Sequence, residues 1–270
     1  MSFVKAPTWI RYCACDGSRP AAWPSLSAWL TEREQAALAE LRSPARQSQW
    51  LLGRWLSKQL IAQAAEVENF CDIEIITRSG QGLGMRPRVK LAGSPWLGSL
   101  SISHTETGVL VGVSRDEQTM LGVDLACDVP CDARFRSLWF TPNEQQWIAS
   151  DPAYRTGLLW GLKEAVFKAC CSGHAWTPTQ IELHLESEHR FEATFFGSQL
   201  GELDVHVQRV ARGLAVVVRL PHQKFPHPDF SPADRNTSSR WQTVSPTPIT
   251  IVPAIAKEFV AEEQLAFALS

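Results

Sequence analysis

The 270-residue chain is short of several things, and each shortage closes off a class of explanation. It lacks an excess of either charge: 26 Lys and Arg stand against 28 Asp and Glu, a formal net charge of -2. That balance excludes broad electrostatic adhesion to nucleic acid and leaves room only for a local basic pocket. No apolar run approaches the roughly 18 residues of a membrane span. The opening MSFVKAPTWIRYCACDGSRP has neither the apolar core nor the small-residue cleavage site of a secretory signal. Paired cysteine motifs are missing too. Cys13, Cys15, Cys71, Cys127, Cys131, Cys170 and Cys171 are odd in number and contain no CxxC, a poor zinc or disulfide framework. Free thiols in a reducing, cytoplasmic compartment are the expectation. Tyr is scarce, two against eleven Trp, and no function follows from that ratio.

What remains is a globular composition, 44% hydrophobic and 20% charged, long enough for one large or two modest domains with a substantial core. TWIRYCAC reads as a strand, and a helical stretch runs from about Thr31 through RQSQWLLGRWLSKQLIAQAAEV. CDIEIIT alternates as a half-buried strand does, GSLSISHT and GVLVGVS read as an antiparallel pair, and MLGVDLA as a further strand. Helices follow at TPNEQQWIAS, with Thr141 as cap, Pro142 at the first helical position and Glu144 three residues on, and at YRTGLLWGLKEAVFKACC. IELHLE, FEATFFG, LDVHVQRV and LAVVVRL are four more strands. No sequence repeat is evident, yet the halves share an element order. The expectation is an α+β fold of two similar subdomains, 1–118 and 119–220, each a small antiparallel sheet with packed helix. Residues 221–270 read as a Pro/Ser-rich tail with a terminal amphipathic helix in AIAKEFVAEEQLAFALS.

The charges on LLWGLKEAVFKAC pose the functional question. At 3.6 residues per turn Trp160, Lys163, Glu164 and Phe167 share one side with Lys168 at its edge, while Leu159, Leu162, Val166 and Ala169 lie opposite. Charges on a helix apolar around most of its circumference need partners. Taken singly, an i,i+4 salt bridge would satisfy Glu164 and Lys168, and a strand-end hydrogen bond to a turn would satisfy Asp124. Taken together, Asp124 and Glu164 also form an oxygen donor set for Mg²⁺, which takes one or two carboxylates and completes its shell with phosphate and water. Ser103 and His104 stand at a strand end on opposite faces, which rules against a catalytic Ser–His pair. Arg46, Arg54 and Lys58 line a helix face, and Arg86 and Arg88 flank Pro87.

In their order, SISHT, GVDLA and WGLKEAVFKA resemble the 4'-phosphopantetheinyl transferase superfamily, in its larger, pseudo-dimeric, surfactin-synthetase-activating branch. Trp160, Lys163, Glu164, Ala165 and Lys168 fit its W-x-x-K-E-[AS]-x-x-K helix. The resemblance spans roughly residues 8 to 220 and implies a site at the interface of the two subdomains. It implies a cytoplasmic, monomeric enzyme that moves phosphopantetheine from coenzyme A to a serine of an apo acyl or peptidyl carrier protein of fatty-acid, polyketide or nonribosomal-peptide synthesis. It further implies coenzyme contacts from Arg46, Arg54, Arg86, Pro87, Ser103 and His104. Asp124 and Glu164 would hold Mg²⁺, with Mn²⁺ as a substitute. Glu164 would act as general base, and Lys168 with Lys163 would steady the phosphoryl group. By the same resemblance Arg134, Arg136, Leu138, Trp139 and Phe140 form a carrier-docking surface. One departure is Ala126, where many relatives carry a second acid on the face of Asp124. A noncatalytic CoA-binding module and a carrier-docking scaffold are the alternatives.

Overall fold

The structure, a computed structural model, describes residues 8–14, 24–78, 84–170, 176–187, 190–222 and 266–269. The first half comprises β1 (Thr8–Ala14), α1 (Glu32–Ala39), α2 (Pro44–Ala65), β2 (Ile73–Arg78), β3 (Gly84–Leu91), β4 (Ser94–Trp96), β5 (Ser99–His104) and β6 (Gly108–Ser114). The second comprises β7 (Thr119–Cys127), α3 (Ala133–Trp139), α4 (Pro142–Ile148), α5 (Pro152–Cys170), β8 (Ile181–Ser187), β9 (Arg190–Phe195), β10 (Ser198–Glu202), β11 (Asp204–Val210) and β12 (Gly213–Pro221). A last strand, β13 (Ala266–Leu269), pairs antiparallel with β1. This is the α+β fold expected, with four antiparallel sheets among the described residues: β13-β1-β6-β5, β2-β3-β4, β11-β12-β7 and β10-β9-β8.

Two expectations need correction, and one segment left unassigned is a strand. Residues 266–269 of the tail form a strand instead of a helix, and the rest of that proposed helix lies outside the described residues, as does the tail from 223. The segment GMRPRVK, in which Arg86 and Arg88 flank Pro87, is part of β3. There Pro87 sits in the irregular stretch between the pairs Arg78↔Gly84 and Ile76↔Arg88, a bulged position that tolerates the missing N–H. The chain also does contain a sequence repeat. Ser27, Trp29, Thr31, Glu34 and Gln35 recur at the same spacing as Ser137, Trp139, Thr141, Glu144 and Gln145.

Each copy of the repeat builds the same device. Thr31 and Glu34 form a capping box at the start of α1, and Thr141 and Glu144 form one at the start of α4. Gln35 donates to the Leu30 carbonyl at 3.0 Å, and Gln145 to that of Phe140 at 2.8 Å. Each glutamate then receives a lysine from the long helix. Lys58 Nζ lies 2.6 Å from Glu34 and donates to the carbonyls of Trp29 at 2.8 Å and Phe70 at 3.0 Å. Lys163 Nζ lies 2.7 Å from Glu144 and donates to the carbonyls of Trp139 and Pro178, both at 3.2 Å. The second carboxylate oxygen accepts an N–H from the third residue of the following strand, Ile75 of β2 at 3.2 Å and Leu183 of β8 at 2.9 Å. Three donor protons meet three acceptors in each cage, the condition under which a buried ammonium is tolerated. Burial still lowers the pKa of both lysines, against the opposing pull of Glu34 and Glu144.

The halves meet over a core built from both: Ile10 and Leu110 on one side, and Leu121, Val123, Leu125, Ala215 and Val217 on the other. Each fully buried aliphatic of this kind contributes about 1.5–3 kcal/mol. The joint between the two main sheets is made by side chains. Ser99 donates to the Thr119 carbonyl at 2.7 Å, while Ser101 and Ser103 accept the N–H groups of Val123 at 3.0 Å and Leu125 at 3.1 Å. The alternation S-x-S-x-S thus staples β5 to β7 along its length.

The cages should behave as indivisible units. Glu144→Ala and Lys163→Ala are each expected to cost about 3–5 kcal/mol in chemical denaturation, since each strands a buried charge. The double variant should cost well under the sum. Additive losses would show that the two groups do not depend on each other.

Candidate functional site

Glycine sets the position of α5. A Cβ built on Gly122 would lie 1.8 Å from the Ala165 carbonyl oxygen, so no other residue fits while the helix rests on β7. Ala126, on the same face of the strand, sits under Gly161, where an added Cβ would come within 3.1 Å of it. The close approach brings the helix residues Glu164 and Lys168 over Asp124, the one acid of β7.

There Lys168 Nζ lies 2.6 Å from Asp124 Oδ1 and 3.3 Å from Glu164 Oε2. Ser103 Oγ donates to the same Asp124 oxygen at 2.8 Å and accepts from Lys168 at 3.0 Å. Asp124 is buried, whereas the side chains of Glu164 and Lys168 are each 26% exposed, so the cluster opens to solvent through the helix residues. Burial and the neighbouring Asp124 raise the Glu164 pKa against the pull of Lys168. Burial alone would lower that of Lys168, but Asp124 and Glu164 together carry it above the ordinary lysine value. Two acids and one ammonium leave one net negative charge.

The neighbouring cluster comes from the first half. Arg46 lies 2.7 Å from His104 Nε2. A guanidinium only donates, so Nε2 accepts and the ring proton sits on Nδ1. Gln49 ties the same end of α2 to the Thr105 carbonyl at 3.1 Å. Ser103 and His104 point to opposite faces as expected: Ser103 inward to Asp124, His104 to the surface. Lost hydration and the charge of Arg46 depress the His104 pKa, with a smaller push from Lys168. The imidazole is therefore neutral near pH 7, bonded to Arg46 and near enough to Lys168 to feel its charge.

Other expected residues are placed elsewhere. Lys163 is not at this site: the helix side it was read to share with Glu164 splits, and its ammonium fills the Glu144 cage with no exposure. Trp160 and Phe167 flank it, packed on Trp176 at 5.7 and 5.0 Å. Arg54 is also turned inward, 4% exposed, bonded to Thr77 at 3.0 Å, 3.6 Å from Glu34 and stacked on Trp50. Burial lowers its pKa to about 10, so it stays charged. Arg86 donates to Ser99 at 2.7 Å, at the opposite end of β5 from His104. Five residue steps along the strand, about 16 Å, separate those ends. On α3, Leu138 is 54% exposed beside Arg134, but Phe140 is core and Trp139 packs on Trp160 at 6.2 Å. Two cavities of about 450 and 540 Å³ share Asp151, Tyr154 and Arg209 near the start of α5, and the second also reaches Ala126.

The fold duplication explains why the acids appear once. Arg11 pairs with Val111 of β6 as Asp124 pairs with Val216 of β12, and Gln59 follows the caged Lys58 as Glu164 follows Lys163. The first half therefore carries an Arg11–Gln59 hydrogen bond of 2.8 Å in place of an acid pair. Sequence reasoning missed this equivalence and the role of Ser101 and Ser103. The signal was present as three alternating serines in an otherwise apolar strand.

In an NMR titration His104 should show a midpoint below 6.5, and Arg46→Ala should move it upward by removing both charge and cover. An unchanged midpoint would contradict the pairing.

No curated protein matches the chain. The family model of the 4'-phosphopantetheinyl transferase superfamily matches residues 120–217, from β7 into β12, the span that holds Asp124, Glu164 and Lys168.

Proposed function

We propose that the chain transfers 4'-phosphopantetheine from coenzyme A to a serine hydroxyl of an apo carrier protein and releases adenosine 3',5'-bisphosphate. The observation that carries this is the meeting of two unlike clusters at the seam. Asp124, Glu164 and Lys168 come from the half that matches the family model, and Arg46 with His104 from the other.

The donor set suits a hard divalent cation. Among the described residues no three His, Cys, Asp or Glu side chains gather as a metal cage, so the protein offers the two carboxylates of Asp124 and Glu164. Mg²⁺ accepts such a pair when a substrate supplies phosphate oxygens. When bound, it would offset charge on the pyrophosphate as the phosphoanhydride breaks. Ala126 packs under Gly161 and carries no oxygen, so Asp124 and Glu164 would be the carboxylates that hold the cation.

The protein's own groups divide the remaining work. Arg46 faces the 3'-phosphate, with neutral His104 as a hydrogen-bond donor through Nδ1. The carrier serine oxygen attacks the pantetheine-bearing phosphorus, the bond to the bridging oxygen breaks, and Glu164 takes the serine proton directly or through water. A raised carboxyl pKa makes Glu164 a better proton acceptor than an ordinary glutamate. Lys168 stands where charge grows on the phosphoryl and leaving oxygens. The exposed Leu138 and Arg134 of α3 offer an apolar anchor and a positive charge to an acidic carrier surface.

Intact-mass spectrometry of an apo carrier protein incubated with the chain, coenzyme A and Mg²⁺ tests the reaction. The expected result is a gain of one phosphopantetheine that EDTA abolishes and that Asp124→Asn or Glu164→Gln slows at least ~100-fold. The missing acid at Ala126 favours one other outcome, a binding-only module. Coenzyme A bound with no mass gain on any carrier class would establish it and reject the transferase.

A further inference from the structure

We propose that Ser103 is a positioning residue, which holds Asp124 and Lys168 in the geometry of transfer instead of touching the coenzyme. It rests on the transferase function proposed above. A serine hydroxyl has one proton to donate and two lone pairs to offer. In Ser103 all three are committed: the proton goes to Asp124 Oδ1 at 2.8 Å, and the lone pairs receive Lys168 Nζ at 3.0 Å and the Leu125 N–H at 3.1 Å. The residue is 4% exposed, so neither capacity nor access is left for a ligand.

The three bonds run to two elements of the other half, β7 and α5. Ser103 therefore converts the register of β5 against β7 into the orientation of a carboxylate. Both hydrogen bonds to Asp124 end on Oδ1, which fixes the carboxylate plane and leaves Oδ2 for a cation. Lys168 is held from two sides at once, by Asp124 at 2.6 Å and by Ser103. Next along the strand, His104 carries the pairing with Arg46. One dipeptide at the end of β5 thus ties the acid cluster to the basic cluster, Ser103 through the interior and His104 over the surface.

Ser101 supplies the control. It is equally buried and accepts the Val123 N–H at 3.0 Å, so it staples the same two strands one step away from the charged groups. Loss of Ser103 frees Asp124 and Lys168 to shift, and misplacement on the scale of 1 Å costs about 100-fold in rate.

The test compares Ser103→Ala, Ser101→Ala and the unaltered protein in steady-state transfer assays and in amide hydrogen exchange read by NMR. Ser103→Ala should lower kcat by ~10- to 100-fold with the KM for coenzyme A changed less than about three-fold, and should speed exchange at Leu125 and not at Val123. Ser101→Ala should speed exchange at Val123 and keep kcat. A Ser103→Ala enzyme with intact kcat and a KM for coenzyme A raised ten-fold or more would overturn the proposal, because the hydroxyl would then be a coenzyme contact. Equal losses of kcat in both variants would overturn it too, reducing Ser103 to a strand staple. An unaltered protein that transfers nothing overturns the underlying function, and that is seen before any variant is compared.

Discussion

The site depends on one joint, the run of serine hydroxyls that fastens β5 to β7. These strands belong to different halves of the chain and to different sheets. The N–H groups of Val123 and Leu125 are buried and need acceptors. Ser101 and Ser103 provide them, and Ser99 completes the row on the Thr119 carbonyl. A side-chain joint of this kind closes the seam without a continuous backbone ladder. It also leaves one hydroxyl, that of Ser103, within reach of Asp124 and Lys168. The catalytic geometry proposed for this chain is a by-product of how its halves are held together.

Three lysines on two related helices show how environment divides the labour. Lys58 and Lys163 fill equivalent cages, each with one carboxylate and two carbonyls, and burial lowers their pKa. Lys168 meets two carboxylates and a hydroxyl on a surface still open to solvent, and its pKa is raised. The caged pair anchors each long helix to the turn before the short helix and to the sheet that follows. With α5 fixed in that way, and with Gly122 removing any side chain between helix and strand, the two charged residues past the cage have one place to go. The first half has the same frame with Arg11 and Gln59 at the matching positions, which is why the chain carries a single acid pair.

Much of this was legible in the sequence because periodicity and charge spoke for themselves. The apolar side of α5 is as expected, with Leu159, Leu162, Val166 and Ala169 fully buried, and the capping box at Thr141 forms. Asp124, Glu164 and Lys168 do meet. The misses share a cause. A helical wheel places Lys163 beside Glu164, but a 100° step is enough to send one into the core and the other to the surface, and only the tertiary partner decides. Arg54 followed the same rule, drawn inward by Glu34, Thr77 and Trp50. Pro87 obscured β3 because a bulge, invisible to alternation, accommodates it. The repeat around Trp29 and Trp139 was hidden because few positions are shared, Thr31, Glu34 and Gln35 with Thr141, Glu144 and Gln145 among them, while the residues between differ.

The central claim is that one ligand bridges the seam. A crystal structure with coenzyme A and Mn²⁺, located by its anomalous signal, tests it most directly. The account predicts the metal between Asp124 and Glu164, the pyrophosphate against Lys168 and the 3'-phosphate at Arg46 and His104. Coenzyme A bound away from the seam, or the metal on other residues, would contradict it.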